Sequence, residues 1–474
     1  MVRGGFWVFA LRITTRLFGL ARTIVLARLL APADFGLFGI ALLAMSALET
    51  FSQTGFNAAL VQKKKDTKPY LDTVWTVQVV RGMLLALIAF AIAPYVAVFF
   101  DATAAKPILQ VIAFSVLLAG FGNIGLIYFQ KELEFHKTFI YQLSGALADM
   151  GVAISAAFLL RSVWALVFGL LAGNVVRLVL SYFIHPYRPR IRFNRQQFKQ
   201  LFGFGKWILG SSVLVFLITQ GDDIFVGKLL GATALGFYQL AYRLSNMPAT
   251  EITHVISQVT FPAYSKLQDD IPKLKEAYLK VLQLTAFLSF PIAGLIFVLA
   301  PDFTRIFLGQ KWMPSVPAMQ ALALAGLVRS ISATTGPVFQ AVGEPGVITK
   351  WQPARLFVLF ALIYPFTVRW GILGTSLAVI LSNSVSAAGF TVKVVRVTKC
   401  EVRDFLKRII RPFISVSIVI LITAVFKMGI GMVAVLEFLL FAGVSILVWL
   451  GISYIVDRQT LITIKQMAST YNAK

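Results

Sequence analysis

The sequence predicts an all-α polytopic membrane protein with about 14 transmembrane helices. Three observations predict it. The chain of 474 residues is 58% hydrophobic and 14% charged, with a mean hydropathy of +0.80, whereas soluble domains carry about 25% charged residues. Its apolar residues fall in segments of bilayer-spanning length separated by short polar connections. Its basic residues collect in alternate connections, which is how topology is signalled.

The first segment, residues 5–30, is long enough to cross a bilayer yet carries Arg12, Arg16, Arg22 and Arg28. On a helix, Arg12, Thr15, Arg16, Gly19, Arg22 and Thr23 share one arc of roughly 120°, and apolar side chains cover the rest. Arginine is costly in lipid and usually faces a bundle interior or a wet cavity. A cationic cavity wall points to an anionic cargo. Arg28, near the segment end, is the residue best placed to snorkel to headgroups; for the others, snorkelling or pairing with acids is the alternative.

The remaining spans run roughly over 35–59, 72–99, 107–129, 139–160, 163–185, 203–228, 234–261, 277–300, 315–340, 351–368, 371–392, 410–427 and 431–455. The connections on one side hold about 26 Lys and Arg, those on the other about 6, which places both termini in the cytoplasm. The longest outer connection is 301–314. The net charge of +24 is therefore a topology signal and not a nucleic-acid footprint. Cys400, the single cysteine, excludes a disulfide framework, and His136, His185 and His254 form no ligand cluster by spacing. No cleavable signal peptide is expected.

An internal repeat appears at an offset of 200 residues. Residues 27–41 (ARLLAPADFGLFGIA) match 227–241 (GKLLGATALGFYQLA) at Leu29, Leu30, Gly36 and Ala41, with Arg28 against Lys228. Each run joins the first two spans of a six-span block. The expected organisation is an N-lobe over 1–186, a basic cytoplasmic linker over 187–202, a C-lobe over 203–396, and two further spans with a tail over 397–474. Two parallel repeats are the plan of an alternating-access transporter, with cargo held between the lobes.

Polar groups at depth supply the remaining candidates. Asp222 and Asp223 lie in the seventh span, and the repeat offset sets Asp222 against Arg22. A structural pairing or cap is one reading; coupling or gating is the other. Glu49 and Asp149 are further gating candidates, and Arg177 and Arg243 further cavity candidates. Glu251, His254 and Arg329 are also intramembrane, whereas Arg81, early in its span, is expected to snorkel. Pro248, Pro262, Pro291, Pro337 and Pro365 are expected to favour kinks. No Walker loop, HExxH or G-x-S-x-G occurs, so no enzyme is expected, and energy would come from an ion gradient, the cargo's gradient or a partner.

Four stretches carry a family resemblance: residues 27–41, ETFSQTGFNAALVQKKK (49–65), SVWALVFGLLAGNVVR (162–177) and GDDIFVGKLLGATALGFYQLAYRLSNMP (221–248). They resemble the polysaccharide transporters of the MOP superfamily, the Wzx-type lipid-linked oligosaccharide flippases, and within them the WzxC-like branch; the likeness covers most of residues 1–396. The resemblance implies a bacterial inner-membrane protein with two six-helix lobes around a central cavity plus two C-terminal helices. It implies a glycan on undecaprenyl pyrophosphate as cargo, flipped for exopolysaccharide or lipopolysaccharide assembly, with Arg12, Arg16 and Arg22 placed to hold the pyrophosphate. No cofactor is expected beyond coupling to H+ or Na+. The partners are the lipid bilayer and other polysaccharide-assembly membrane proteins, with no nucleic acid, and the chain is expected to be a monomer. A lipid II flippase, a MATE-type exporter and a membrane glycan polymerase or ligase are the alternatives. The arginine stripe argues against a cationic MATE cargo, and the short outer connections leave little room for an enzyme's sugar-transfer site.

Overall fold

The computed structural model describes residues 2–62, 67–426 and 434–456. Among these the chain is all-α, and it divides into two compact units, Met1–Gly236 and Phe237–Lys474. Seven helices are long and apolar enough to cross a membrane, or eight if one bent pair counts as a single span. Two pairs of the expected segments share one helix each, over Arg195–Ser265 and Gly346–Thr398, whereas others, 35–59 and 107–129 among them, are split between helices; apolarity alone selects fewer spans than expected. The arginines depress the first helix, and the stretch Gly346–Thr398 counts once although it takes in two segments.

In the first unit, α1 (Val2–Leu29) leads through a tight turn into α2 (Pro32–Phe51). Pro32 opens α2, where its missing N–H costs nothing. Asp34 holds the turn: one carboxylate oxygen accepts from Ala31 N–H at 2.9 Å, the other from Val163 N–H at 3.0 Å. The second expected span is not continuous. It ends at Ser52, breaks at Gly55 with φ 67°, and resumes as α3 (Phe56–Gln62). Only a residue without Cβ takes that φ at no cost.

The long α4 (Lys68–Phe99) is followed by α5 (Ala105–Gly120) and α6 (Ile127–Lys131), which together form a span broken by 68°. The break falls at Gly120–Asn123. There Asn123 N–H donates to Ser181 Oγ at 3.0 Å, and its side chain donates to the Tyr187 carbonyl at 2.7 Å and accepts from Gly125 N–H. Then α7 (Phe135–Leu160) and α8 (Trp164–Ile184) pack closely and antiparallel. The basic linker runs extended along the start of α4. Tyr187 Oη donates to Asp72 at 2.6 Å, and Thr76 exchanges hydrogen bonds with the backbone of Arg192. Burial, then the Asp72 hydrogen bond, raises the Tyr187 phenol well above its ordinary range, so it stays a donor.

The 71-residue α9 (Arg195–Ser265) is two helices meeting at Gly231, φ 81°; unbroken, it would be about 107 Å long, far beyond a bilayer. The first half closes the first unit. In the second unit, α10 (Ile271–Phe303) runs on through a π turn and a 3-10 turn into α11 (Val316–Ala333), so the longest expected outer loop is folded, with Trp312 fully buried. Short α12 (Gly336–Ala341) precedes α13 (Gly346–Thr398), again two helices joined at a glycine, Gly371 with φ 58°. The breaks thus fall at glycines. Pro291 and Pro365 stay within helices, and Pro337 opens α12. α14 (Val402–Phe426) and α15 (Ala434–Val456) end the described chain.

Large apolar side chains point outward on many helices, among them Leu87, Tyr95 and Leu159. In a bilayer these are lipid contacts, not liabilities.

Candidate functional site

α1 carries the arginine stripe along one face of a single helix, and the stripe's two edges meet different surroundings. On one edge Arg22 Nη2 donates to Asp149 Oδ1 of α7 at 2.9 Å, with side chains 13% and 24% exposed. Thr23 is buried, its hydroxyl turned back to the Gly19 carbonyl at 2.7 Å. On the other edge Arg12 is half-buried and Arg16 exposed. Arg22 is therefore engaged by Asp149, and the bridge from Arg22 to Asp222 suggested by the repeat offset is not formed.

The sequence makes room for this charge pair by spacing small residues four apart. On α7 the row is Gly145, Asp149, Ala153, Ala157; on α8 it is Ala165, Gly169, Gly173, Arg177. Such rows let helices approach closely in a membrane. A Cβ on Gly169 would stand 2.6 Å from Asp149 Oδ1, and one on Gly173 would stand 2.8 Å from the Gly145 carbonyl oxygen. The Arg177 side chain crosses Gly145, where a Cβ would meet its Nε at 2.4 Å, and its Nη1 donates to Asn174 at 3.1 Å. Arg22 and Arg177 thus flank one turn of α7. An isolated charge at the middle of a membrane helix costs about 3 kcal/mol, so the Asp149 carboxylate offsets what this arginine pair would otherwise cost.

Glu49 occupies a separate place, at the end of the unit bearing the basic connections. It lines a polar cavity of about 470 Å³ with Gln53, Thr54, Asn57, Gln78 and Arg81. Arg81 does not snorkel as expected. It caps the end of α2, donating from Nε to the Ser52 carbonyl at 2.9 Å and from Nη2 to the Glu49 carbonyl at 2.9 Å. Orphan carbonyls at a helix end attract such donors. Asp222 is buried on α9 and Asp223 half-buried beside it. Arg243 is exposed and Glu251 half-buried; the side chain of His254 lies outside the described residues.

The repeat-related turns touch reciprocally within the first unit. A Cβ on Gly36 would meet the Ala232 carbonyl oxygen at 1.7 Å, and one on Gly236 would meet that of Pro32 at 2.1 Å. The pairs 36 with 232 and 236 with 32 exchange under the 200-residue offset, so the two matched glycines are where backbones meet. In the second unit, Arg329 Nη2 donates to the Asn246 carbonyl at 3.2 Å and to Thr250 Oγ1 at 2.7 Å, all neutral partners. Asn174, Asn246 and Thr250 escaped sequence reasoning. An amide or hydroxyl inside an apolar span gives no signal of which arginine it serves.

A polytopic helical chain with charged groups held inside its bundles has the makings of a membrane transporter. The family model described as "Polysaccharide biosynthesis protein" matches residues 25–317, and the chain belongs to that family. It is similar to the lipopolysaccharide biosynthesis protein WzxC of Escherichia coli (strain K12), 25% identical over 83% of this chain and 81% of that protein. It is also similar to the succinoglycan biosynthesis transport protein ExoT of Rhizobium meliloti (strain 1021), 23% identical over 84% and 81%. Among solved structures, the lipid II flippase MurJ in an inward closed conformation has the same fold, with a TM-score of 0.75, 17% identity, and 97% and 100% of the chains covered.

Proposed function

We propose that the chain is a flippase that carries an oligosaccharide linked to undecaprenyl pyrophosphate from the inner to the outer leaflet of a bacterial inner membrane. Both termini face the cytoplasm. The observation that carries this reading is α1: a membrane-length helix with three arginines on one face, in a chain whose family and relatives serve polysaccharide biosynthesis and transport. Guanidinium groups replace part of a phosphate's hydration by bidentate, charge-assisted hydrogen bonds.

Arg12 and Arg16 engage the pyrophosphate, while Arg22, tied to Asp149, and Arg177 set the field around it. The sugars follow the headgroup and the polyprenyl tail stays in lipid. In the second unit an apolar groove of about 240 Å³ between α10, α14 and α15, walled by Leu288, Pro291, Val416 and Trp449, is of a kind that suits a prenyl chain. Transport proceeds by alternating access. The reciprocal contact at Gly36 and Gly236 parts when the outer side opens, and Asp222 and Asp223 couple the change to an ion.

The test is binding of undecaprenyl pyrophosphate to the purified protein, read as thermal stabilisation, together with glycan export in cells. Arg12→Ala/Arg16→Ala should lose both at normal abundance. Retention of both by the double variant would overturn the assignment. Asp222→Asn/Asp223→Asn should bind cargo yet fail to export it; normal export would remove the coupling role.

A further inference from the structure

The second unit holds a pocket that the cargo reading does not use. It lies where the end of α11 meets both halves of α13, and its volume is about 200 Å³. Its polar walls include Arg329, Ser332, Gln352, Arg355, Asn383 and Ser386, and no carboxylate lines it among the described residues. Glu344, at the turn leading into α13, is engaged elsewhere, with Lys393 Nζ at 2.7 Å.

The chemistry of these walls is two-sided. Arg329 is oriented by the Asn246 carbonyl and the Thr250 hydroxyl, acceptors that fix the guanidinium and leave its charge uncancelled. With Arg355 in the same pocket, two cations face one small volume. A guanidinium so held is matched by a carboxylate or phosphate. The other side of the pocket accepts. Gln352 Oε1 is buried and receives no hydrogen bond. Ser332 and Ser386 already donate their hydroxyl hydrogens to the Val328 and Asn383 carbonyls, at 2.8 and 3.0 Å, so their oxygens remain as acceptors. A buried acceptor without a donor costs free energy unless a ligand supplies one. A bare phosphate would satisfy the arginines alone. A ligand that also brings hydroxyl groups satisfies both sides.

We infer that this pocket binds a negatively charged sugar, its carboxylate or phosphate on Arg329 and Arg355 and its hydroxyls on Gln352 and the two serines. This rests on the flippase reading for its meaning, as a subsite for an acidic unit of the glycan, but the binding itself can be measured without transport.

The experiment titrates the purified full-length protein in detergent with glucuronate, glucose 1-phosphate, glucose and inorganic pyrophosphate, following thermal stabilisation. Glucuronate or glucose 1-phosphate should stabilise saturably, and the better of the two identifies the charged group. Glucose should not. Arg355→Gln should weaken that binding about tenfold or more. Gln352→Leu, which removes the acceptor and no charge, should weaken the sugar and leave pyrophosphate unaffected. Arg355→Lys checks that a loss is not misfolding, since it keeps the charge and should retain part of the binding. No saturable response to either acidic sugar, an equal response to glucose, or unchanged binding in Arg355→Gln overturns the inference. If the acidic sugar binds through Arg355 while cells show no glycan movement, the pocket stands and the flippase reading falls. If export proceeds and the pocket binds none of the probes, the reverse holds.

Discussion

Two arginines placed inside helical bundles are treated in opposite ways. Arg22 in the first unit is met by a full negative charge, Asp149, set into a row of glycines and alanines. Arg329 in the second is met by a backbone carbonyl and a hydroxyl. The first arrangement cancels charge and locks two helices. The second orients a guanidinium and leaves the field of a cation in place. A buried ion pair is thus a structural fastener, whereas a cation held by neutral dipoles is ready for an anion from outside.

The comparison breaks most readily at its ionic half. Asp149→Ala leaves Arg22 buried without its partner and should cost about 3 kcal/mol, read from thermal unfolding of the purified protein and its abundance in membranes. Arg22→Met/Asp149→Leu should recover most of that, and failure to do so would mean that the pair does more than balance charge. Gly169→Ala should cost about 2 kcal/mol, because the new methyl group would overlap Asp149 Oδ1; unfolding again reads it. At the dipolar half the expected loss is smaller. Arg329→Met should cost about 1 kcal/mol, since Thr250 Oγ1 donates to the Asn246 carbonyl at 2.8 Å and keeps it satisfied. An unfolding loss as large as that of Asp149→Ala would erase the distinction. Arg81→Lys is the mildest case. It keeps one donor for the α2 carbonyls and loses the fork, an expected cost of about 0.5 kcal/mol in the same measurement.

Much of the ionic half could be read from sequence, and little of the dipolar half. The arc holding Arg12, Arg16 and Arg22 follows from helical periodicity, and Asp149 stands out as an acid in an apolar run. What joins Arg22 to Asp149 is packing between helices far apart in the chain, and the repeat offset misdirects it to Asp222. The same offset did find Gly36 and Gly236, because only glycine permits backbones that close. The break after α2 was hidden because FNAALVQ is apolar enough to pass for continued span; its real signal is Gly55. Arg355 carries no signal of its own in sequence, because one arginine near a span's start reads the same as a topology charge. The polar partners of Arg329 carry no charge and left no trace in a charge-based reading.

The broken span at Gly120–Asn123 carries a consequence for how the chain is made. There the buried backbone N–H of Asn123 donates to Ser181, and the Asn123 side-chain amide donates to the carbonyl of Tyr187. Both partners emerge from the ribosome some sixty residues later, at roughly 5–20 residues per second. Until then the break holds polar groups that hydrocarbon cannot solvate. This segment must therefore wait beside the insertion machinery, or in the aqueous interface, for α8 and the linker to arrive. The birth order of the helices and the order in which they settle into lipid are then different.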